Sequence, residues 1–368
     1  MRVVLAPDSF KGSATAGEVA RALAEGMRTA APAIETVARP MADGGEGTLD
    51  AFRTAVPGAV RHPLVVDGPA GPAHASWVEL PDGTGVVELA TASGIELLGG
   101  TLRPWDAHTR GLGQALAAAL DHGVERLVVG IGSSASTDAG TGLLTALGAR
   151  FLTARAGPVS PGARGLRDIA VIDVSELRGL PPGGVTVLCD VRSPLTGEEG
   201  AARVFGPQKG FTTAECRRVD ADVRTFAGLL AGELAGARPD EPGAGAAGGA
   251  GFALFAWGGA LRSGAAAVAQ RVGLGAAIAD AELVVTGEGR FDGQSARGKV
   301  AQFVRDAAAE AGVPVVLVAG QVASDADTSG FAEVVSLTDL AGSSVDARRD
   351  PARWLRRAGR VLAERLRP

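Results

Sequence analysis

Glu288 and Asp292 stand in the stretch Thr286-Gly-Glu-Gly-Arg-Phe-Asp-Gly-Gln-Ser-Ala-Arg-Gly-Lys299, which follows the apolar run 282–285 and brings two acids, four glycines and three cations together. A strand that opens into glycines lets bare backbone N–H groups approach an anion, and paired carboxylates suit the divalent cation that a phosphate carries with it. Gly287 and Gly289 would give the close backbone approach, Lys299 a counter-charge, and Glu288 and Asp292 the metal contacts. The segment Gly293 to Lys299 also fits the first seven positions of the Walker A pattern, but Val300 replaces the magnesium-binding hydroxyl. The chemistry expected is that of a phosphate loop outside the P-loop class.

Other segments carry related chemistry. Asp8-Ser9-Phe-Lys11-Gly-Ser13 precedes a helix start, so Lys11 and the first helical N–H groups form an anion site unless the segment is only a solvated turn. Asp43-Gly44-Gly45-Glu46-Gly47 places two acids on a glycine loop, where they repel one another without a cation or donor between them; the competing reading is a helix cap through Asp43. Ser133, Ser134, Ser136, Thr137 and Asp138 make a hydroxyl-rich loop suited to phosphate or polyhydroxy acid oxygens, or simply a capped helix start. Asp190 and Arg192 end the apolar strand 185–188, either as a metal or proton site or as a surface ion pair. Lys209 sits in the rigid turn Phe205-Gly-Pro-Gln-Lys209-Gly210. The pattern G-x-G-x-x-G/A occurs at 130–135 and 243–248, but the later copy follows no strand and the earlier has no acid-ended strand about twenty residues on. The four histidines, His62, His74, His108 and His122, do not cluster in sequence; His108, beside a helix start, is the one to watch.

The elements that must position these residues alternate. A strand at 3–6 leads to a helix at 16–30 whose start, Thr15-Ala-Gly-Glu18, has the form of a capping box. A second strand lies at 34–41, followed by a helix through Phe52. The rhythm returns near the C-terminus, with strands at 282–286, 313–319 and 332–337 and helices at 297–311 and 350–366. Strands at 75–80, 85–90, 125–131 and 185–190 and helices at 107–121, 138–148, 213–235 and 260–273 fill the middle. This order predicts an α/β protein: a doubly wound parallel-sheet, Rossmann-like domain formed by 1–66 plus 281–368 and interrupted by an inserted α/β domain at 67–280, with a ligand cleft between them.

Composition narrows the classes. A 368-residue chain with 46% hydrophobic residues can bury two cores, and a net charge of -5 without a long basic block disfavours nucleic acid. Cys189 and Cys216 form no disulfide framework and no zinc spacing, and the N-terminus lacks the apolar core of a signal peptide, so a cytoplasmic protein is expected. Residues 243–261 are uncharged, yet their seven glycines point to a buried loop and helix edge rather than a membrane span.

Ala6-Pro-Asp-Ser-Phe-Lys-Gly12, Ala42-Asp-Gly-Gly-Glu-Gly-Thr48, Cys189-Asp-Val followed by Phe205-Gly-Pro-Gln-Lys-Gly210, and Thr286-Gly-Glu-Gly-Arg-Phe-Asp-Gly-Gln294 together resemble the bacterial type 1 glycerate kinase family, over residues 3 to about 319. The resemblance implies transfer of the γ-phosphoryl of ATP to D-glycerate, mostly at the 2-hydroxyl, with the 3-hydroxyl as the alternative. It also implies a two-domain α/β fold with one domain inserted into the other. Two departures stand out: the chain reads Gly132-Ser-Ser-Ala-Ser-Thr-Asp-Ala-Gly140 where the family has Gly-Gly-Ser-Ala-Thr-Asn-Asp-Gly-Gly, and Ser193 replaces an Asn. Ser133, Thr137, Ala139 and Ser193 are thus the positions where substrate choice or rate would differ.

On this reading, loops 43–47 and 287–293, with Lys11 and Lys299, surround the phosphates. Asp8, Ser9, Ser134 and Lys209 add contacts, Asp190, Glu288 or Asp292 holds Mg2+, and either Asp190 or Asp292 is the base. The substrate carboxylate needs a cation, with Arg290 first by proximity to the acids, then Arg192 or a helix N-terminus. The expected partners are ATP and D-glycerate, neither nucleic acid nor membrane, with a monomer or homodimer. Two other classes stay open: a dinucleotide-dependent oxidoreductase resting on Gly130 to Ala135, and a non-catalytic small-acid sensor.

Overall fold

The computed structural model describes residues 1–293 and 300–366. The chain divides into two compact units, the first made of Met1–Asp43, Asp50–Pro57 and Ala265–Pro368, the second of Gly44–Leu49 and Gly58–Gly264.

In the first unit five parallel strands run in the order Glu35–Ala38, Arg2–Pro7, Leu283–Phe291, Val315–Val322, Glu333–Ser336. Numbered along the unit, that order is 2-1-3-4-5, so the sheet reverses direction between Arg2–Pro7 and Leu283–Phe291. Open α/β sheets bind ligands beyond the carboxyl ends of the two strands flanking such a switch. Alternation along the strands covers both faces. Val3, Leu5, Leu283, Val285, Val316 and Val318 pack against the helices Ala16–Ala30 and Pro351–Arg365, while Phe291, Leu317 and Ala319 pack against Ala301 of the helix Val300–Glu310. The first two helices approach very closely: a Cβ added at Gly26 would lie 2.0 Å from the Arg356 carbonyl oxygen. The doubly wound parallel arrangement expected from the sequence is therefore present.

The second unit holds six strands in the order Ala260–Arg262, Val185–Leu188, Arg126–Gly130, Thr84–Glu88, Gly71–Glu79, Val60–Gly68. The first four are parallel and the last two antiparallel. Val87, Val129 and Val187 from the sheet meet Leu112 and Leu116 of the helix Arg110–His122, Phe226 of Thr213–Glu233 and Phe252 of Ala250–Trp257 in one core. Every residue of that last helix is buried, which is why the run is apolar all round. Among the described residues no helix is long and apolar enough to cross a membrane.

Three expectations about elements need correction. Val60–Gly68 is a strand that the sequence pattern misses, because Arg61 and Pro63 break its alternation; it survives as an edge strand, where proline is tolerated. Residues 260–273 are not one helix: Ala260–Arg262 pairs with Thr186–Leu188, and the helix begins at Gly264. Thr286–Phe291 is strand rather than loop, because the parallel partner Val315–Val322 extends far enough to pair Arg290 with Gln321 and Phe291 with Val322.

Candidate active site

The sheet reversal of the first unit is also where its polar residues converge. A cavity of about 370 Å³ is lined by Asp8, Ser9, Lys11 and Ser13 after the first strand, by Asp43, by Glu288, Gly289 and Arg290 on the strand Leu283–Phe291, and by Asp292 just past its end. Gly320, Gln321, Thr338 and Arg348 complete it from the C-terminal segment.

Local backbone chemistry explains how these side chains are held. The Asp8 N–H donates to the Gly287 carbonyl at 2.8 Å, which carries the strand register one residue past its end. Phe10 is buried and closes a tight loop by bridging to Ala14, and this leaves Lys11 at the exposed tip. The glycines of Leu283–Phe291 serve backbone crossing more than anion binding. A Cβ at Gly287 would fall 1.9 Å from the Val318 carbonyl oxygen, and one at Gly289 would press on the backbone of Phe10 and Lys11. The helix start after this loop is closed as well, since Thr15 and Glu18 form a complete capping box. The helix's own glutamate thus takes the Thr15 N–H, and the Thr15 hydroxyl takes that of Glu18.

The electrostatics of the cavity are unfavourable to its own carboxylates. Burial first, and then the facing Asp43 and Glu288 carboxylates, push the Asp8 carboxyl well above the ordinary aspartate range, against the opposing effects of the Ser9 N–H and of Lys11. Asp8, Asp43, Glu288 and Asp292 bring four carboxyl groups to the one cavity. Ser9 adds a second signal: its hydroxyl is buried and has no hydrogen-bond partner among the described residues, although its N–H donates to Asp8 Oδ1 at 2.6 Å. A buried orphan hydroxyl facing a cavity is a waiting ligand contact. Arg290 lies 3.4 Å from Asp292 and is largely exposed. Lys299 lies outside the described residues, as does most of the partial Walker A match.

The remaining expected residues lie in the second unit and are differently employed. Gly44 and Gly45 pack closely on the glycine pattern of the second unit: the Gly132 N–H donates to the Gly44 carbonyl at 3.0 Å, and a Cβ at Gly130 or Gly132 would strike Gly44 or Gly45. The dinucleotide-like pattern at 130–135 is thus spent on the chain's own backbone. Gly248, which ends the copy at 243–248, and the next residue Gly249 pack in the same way against Ser136 and Ala139. At the helix Thr48–Ala55 the Leu49 N–H goes to the buried Glu88 carboxylate at 3.0 Å, a partner the sequence does not reveal. Glu46 and Gly47 lie on the same turn, half-buried.

The carboxylate of the hydroxyl loop is served from within. Asp138 is fully buried and accepts from the N–H groups of Thr109, Gly140 and Gly142 and from the hydroxyls of Thr109 and Ser136. Lys209, expected at a phosphate, is buried, donating to the Ser136 carbonyl at 2.5 Å and to Ser134 Oγ at 3.3 Å. Burial lowers its ammonium to about 8, partly countered by Asp138. Thr137 Oγ1 and His108 Nδ1 are buried without hydrogen-bond partners among the described residues. Asp190 is exposed and accepts the Gly264 N–H at 3.1 Å, and Arg192 beside it is exposed.

The family model described as the glycerate kinase family matches residues 3–367. The chain belongs to the glycerate kinase family. It is 40% identical to the glycerate kinase of Bacillus subtilis strain 168 over 99% of this chain and 97% of that one. It is also 40% identical to the glycerate 2-kinase of Escherichia coli K12, over 100% and 98% of the two chains. A solved structure described as glycerate kinase 2 from Salmonella typhimurium LT2 superposes with a TM-score of 0.84 at 38% identity, covering 100% of this chain and 98% of that one. The family match runs further than the motifs, since it includes the C-terminal segment that supplies Thr338 and Arg348 to the cavity.

Proposed function

We propose that this glycerate kinase family member transfers the γ-phosphoryl group of ATP to the 2-hydroxyl of D-glycerate, releasing 2-phosphoglycerate and ADP. The observation that carries the reading is the acid-walled cavity at the sheet reversal, in a chain whose relatives over nearly its full length are named glycerate kinases. The crowded carboxylates around Asp8 fit a divalent cation, and Glu288 and Asp292, with Asp8 and Asp43 beside them, would hold Mg2+. When bound, that ion neutralises the phosphate oxygens on which charge gathers.

The chain's own residues have the rest of the work. Lys11 and Arg348 supply positive charge to the cavity lining, and Ser9 offers a preplaced hydroxyl. Arg290, held near Asp292, is proposed to take the substrate carboxylate through its planar fork. Asp292 is proposed to accept the proton of the attacking hydroxyl as its oxygen bonds to the γ-phosphorus and the bridging bond to ADP breaks. Asp190 remains the alternative base, and Asp190→Asn against Asp292→Asn decides between them. A cytoplasmic setting belongs to the same proposal and is supported by the free thiols Cys189 and Cys216.

Product coupling tests the reading. The protein is incubated with ATP, Mg2+ and D-glycerate, and the product is coupled to enolase without a phosphoglycerate mutase. Signal without mutase means 2-phosphoglycerate; signal only after mutase is added means the 3-phosphate and overturns the regiochemistry. ADP release that does not depend on glycerate would overturn the substrate.

A further inference from the structure

Three residues remote in sequence meet on the antiparallel edge of the second unit. His62 on Val60–Gly68, Glu79 on Gly71–Glu79 and His122, the last residue of the helix Arg110–His122, bring their ligand atoms within 4.8 Å of one another. Both imidazoles use Nε2, and both reach the same oxygen: Glu79 Oε2 lies 2.9 Å from His62 Nε2 and 3.1 Å from His122 Nε2. The register explains the meeting. His62 is directly opposite Trp77, and Glu79, two residues beyond Trp77, stands on the same face. His122 arrives from above because the helix stops there, where Gly123 takes a left-handed conformation at φ 91.

The rings are held in advance. His62 stacks on the buried Trp77 with centroids 4.1 Å apart and planes 11° apart, and His122 meets the same indole edge-on at 5.2 Å. Two imidazoles fixed by one aromatic wall and converging on one carboxylate have the donor set of a two-histidine, one-carboxylate metal centre. Tetrahedral coordination at about 2.0–2.2 Å per bond needs donors about 3.4 Å apart, so the two imidazole–carboxylate spacings of 2.9 and 3.1 Å need only a slight spreading. Side-chain exposures of 26%, 34% and 45% leave a fourth position to water.

We propose that His62, Glu79 and His122 bind a transition-metal ion of the zinc class, clamping the end of the helix Arg110–His122 to the antiparallel edge. Two nitrogen donors prefer such ions strongly over Mg2+, so the site is chemically distinct from the acid cavity of the first unit. It shares no residue with that cavity and does not rest on the kinase reading.

Metal titration of the whole, chelator-stripped chain tests this, with excess Mg2+ present throughout. Co2+ is added first, for its visible ligand-field bands, and is then displaced by Zn2+. One Co2+ per chain with nitrogen-type bands is expected. His122→Ala and Glu79→Gln should each weaken binding by more than about 10-fold, since even the outer partners of metal ligands contribute about 10–100-fold. His74→Ala, an exposed histidine on the same strand as Glu79, should leave binding unchanged. Circular dichroism checks that each variant is folded. No saturable band in the folded parent, or equal affinity in folded Glu79→Gln and His122→Ala, overturns the site and shows a hydrogen-bonded cluster only.

Discussion

Two polar loop systems in this chain have similar residue content and opposite internal economies. Around Asp8 and Glu288 in the first unit, carboxylates face one another, Asp8 is pushed toward its neutral form, and the buried Ser9 hydroxyl has no partner among the described residues. Around Asp138 in the second unit, one buried carboxylate accepts five hydrogen bonds and a buried lysine ties down the neighbouring serine. A polar group that is already satisfied adds stability and structure. One that is left wanting costs stability until a ligand arrives. Both loops look like binding sites in sequence, but the Asp138 carboxylate is served by the chain's own donors, whereas the Asp8 carboxyl is crowded by other acids.

Experiments can break that contrast. The largest effect should come from stripping divalent metal: glycerate-dependent ADP formation should vanish and return with Mg2+, and persistent turnover in chelator would remove the cation from the acid cavity. Next, Asp292→Asn should lower kcat by about 100- to 10,000-fold, the range for a lost general base, with an unchanged melting temperature; near-normal turnover would clear Asp292 of that role. Asp138→Ala should behave in the opposite sense. Losing a saturated buried carboxylate leaves several donors unmet and should cost about 3 kcal/mol in denaturant unfolding. A stable but inactive Asp138→Ala would erase the distinction between the two loops.

Two smaller effects sharpen it. Lys209 loses its proton near 8 when folded and near 10.5 when unfolded. Between these values the unfolded chain binds more protons, so stability rises with pH across that window. Unfolding midpoints of the parent should accordingly gain on those of Lys209→Met from about pH 8 to 10, and parallel curves would refute the buried ammonium. Asp8 has the reverse sign. Its folded carboxyl titrates above 3.8, so the folded state loses stability as pH rises through that interval. Asp8→Asn should therefore raise the metal-free melting temperature at neutral pH by about 1–3 °C, a shift of the size expected for under 1 kcal/mol in a chain this long, while impairing turnover.

Much of the first unit was legible. The capping box at Thr15 and Glu18 and the loops following strands 3–6 and 34–41 are local patterns, and local hydrogen bonding decides them. What stayed hidden depended on partners far along the chain. Thr286–Phe291 looked like a loop because glycine disfavours strand, yet a long parallel neighbour holds it extended. The glycines at 130 and 132 fitted a dinucleotide motif, yet their missing side chains make room for Gly44 and Gly45. His62 and His122 showed no metal spacing, and Glu79 joins them only through strand register and a helix terminus.

The sequence by itself determined the family, the parallel α/β rhythm and the acids that a phosphate-bound cation would need, because these are carried by residue type and short-range spacing. Tertiary structure alone decided which polar groups are spent and which are left over. A carboxylate is free to meet a ligand or is consumed by backbone donors according to the groups that long-range packing brings within 3 Å or so of it, and no local pattern contains that information.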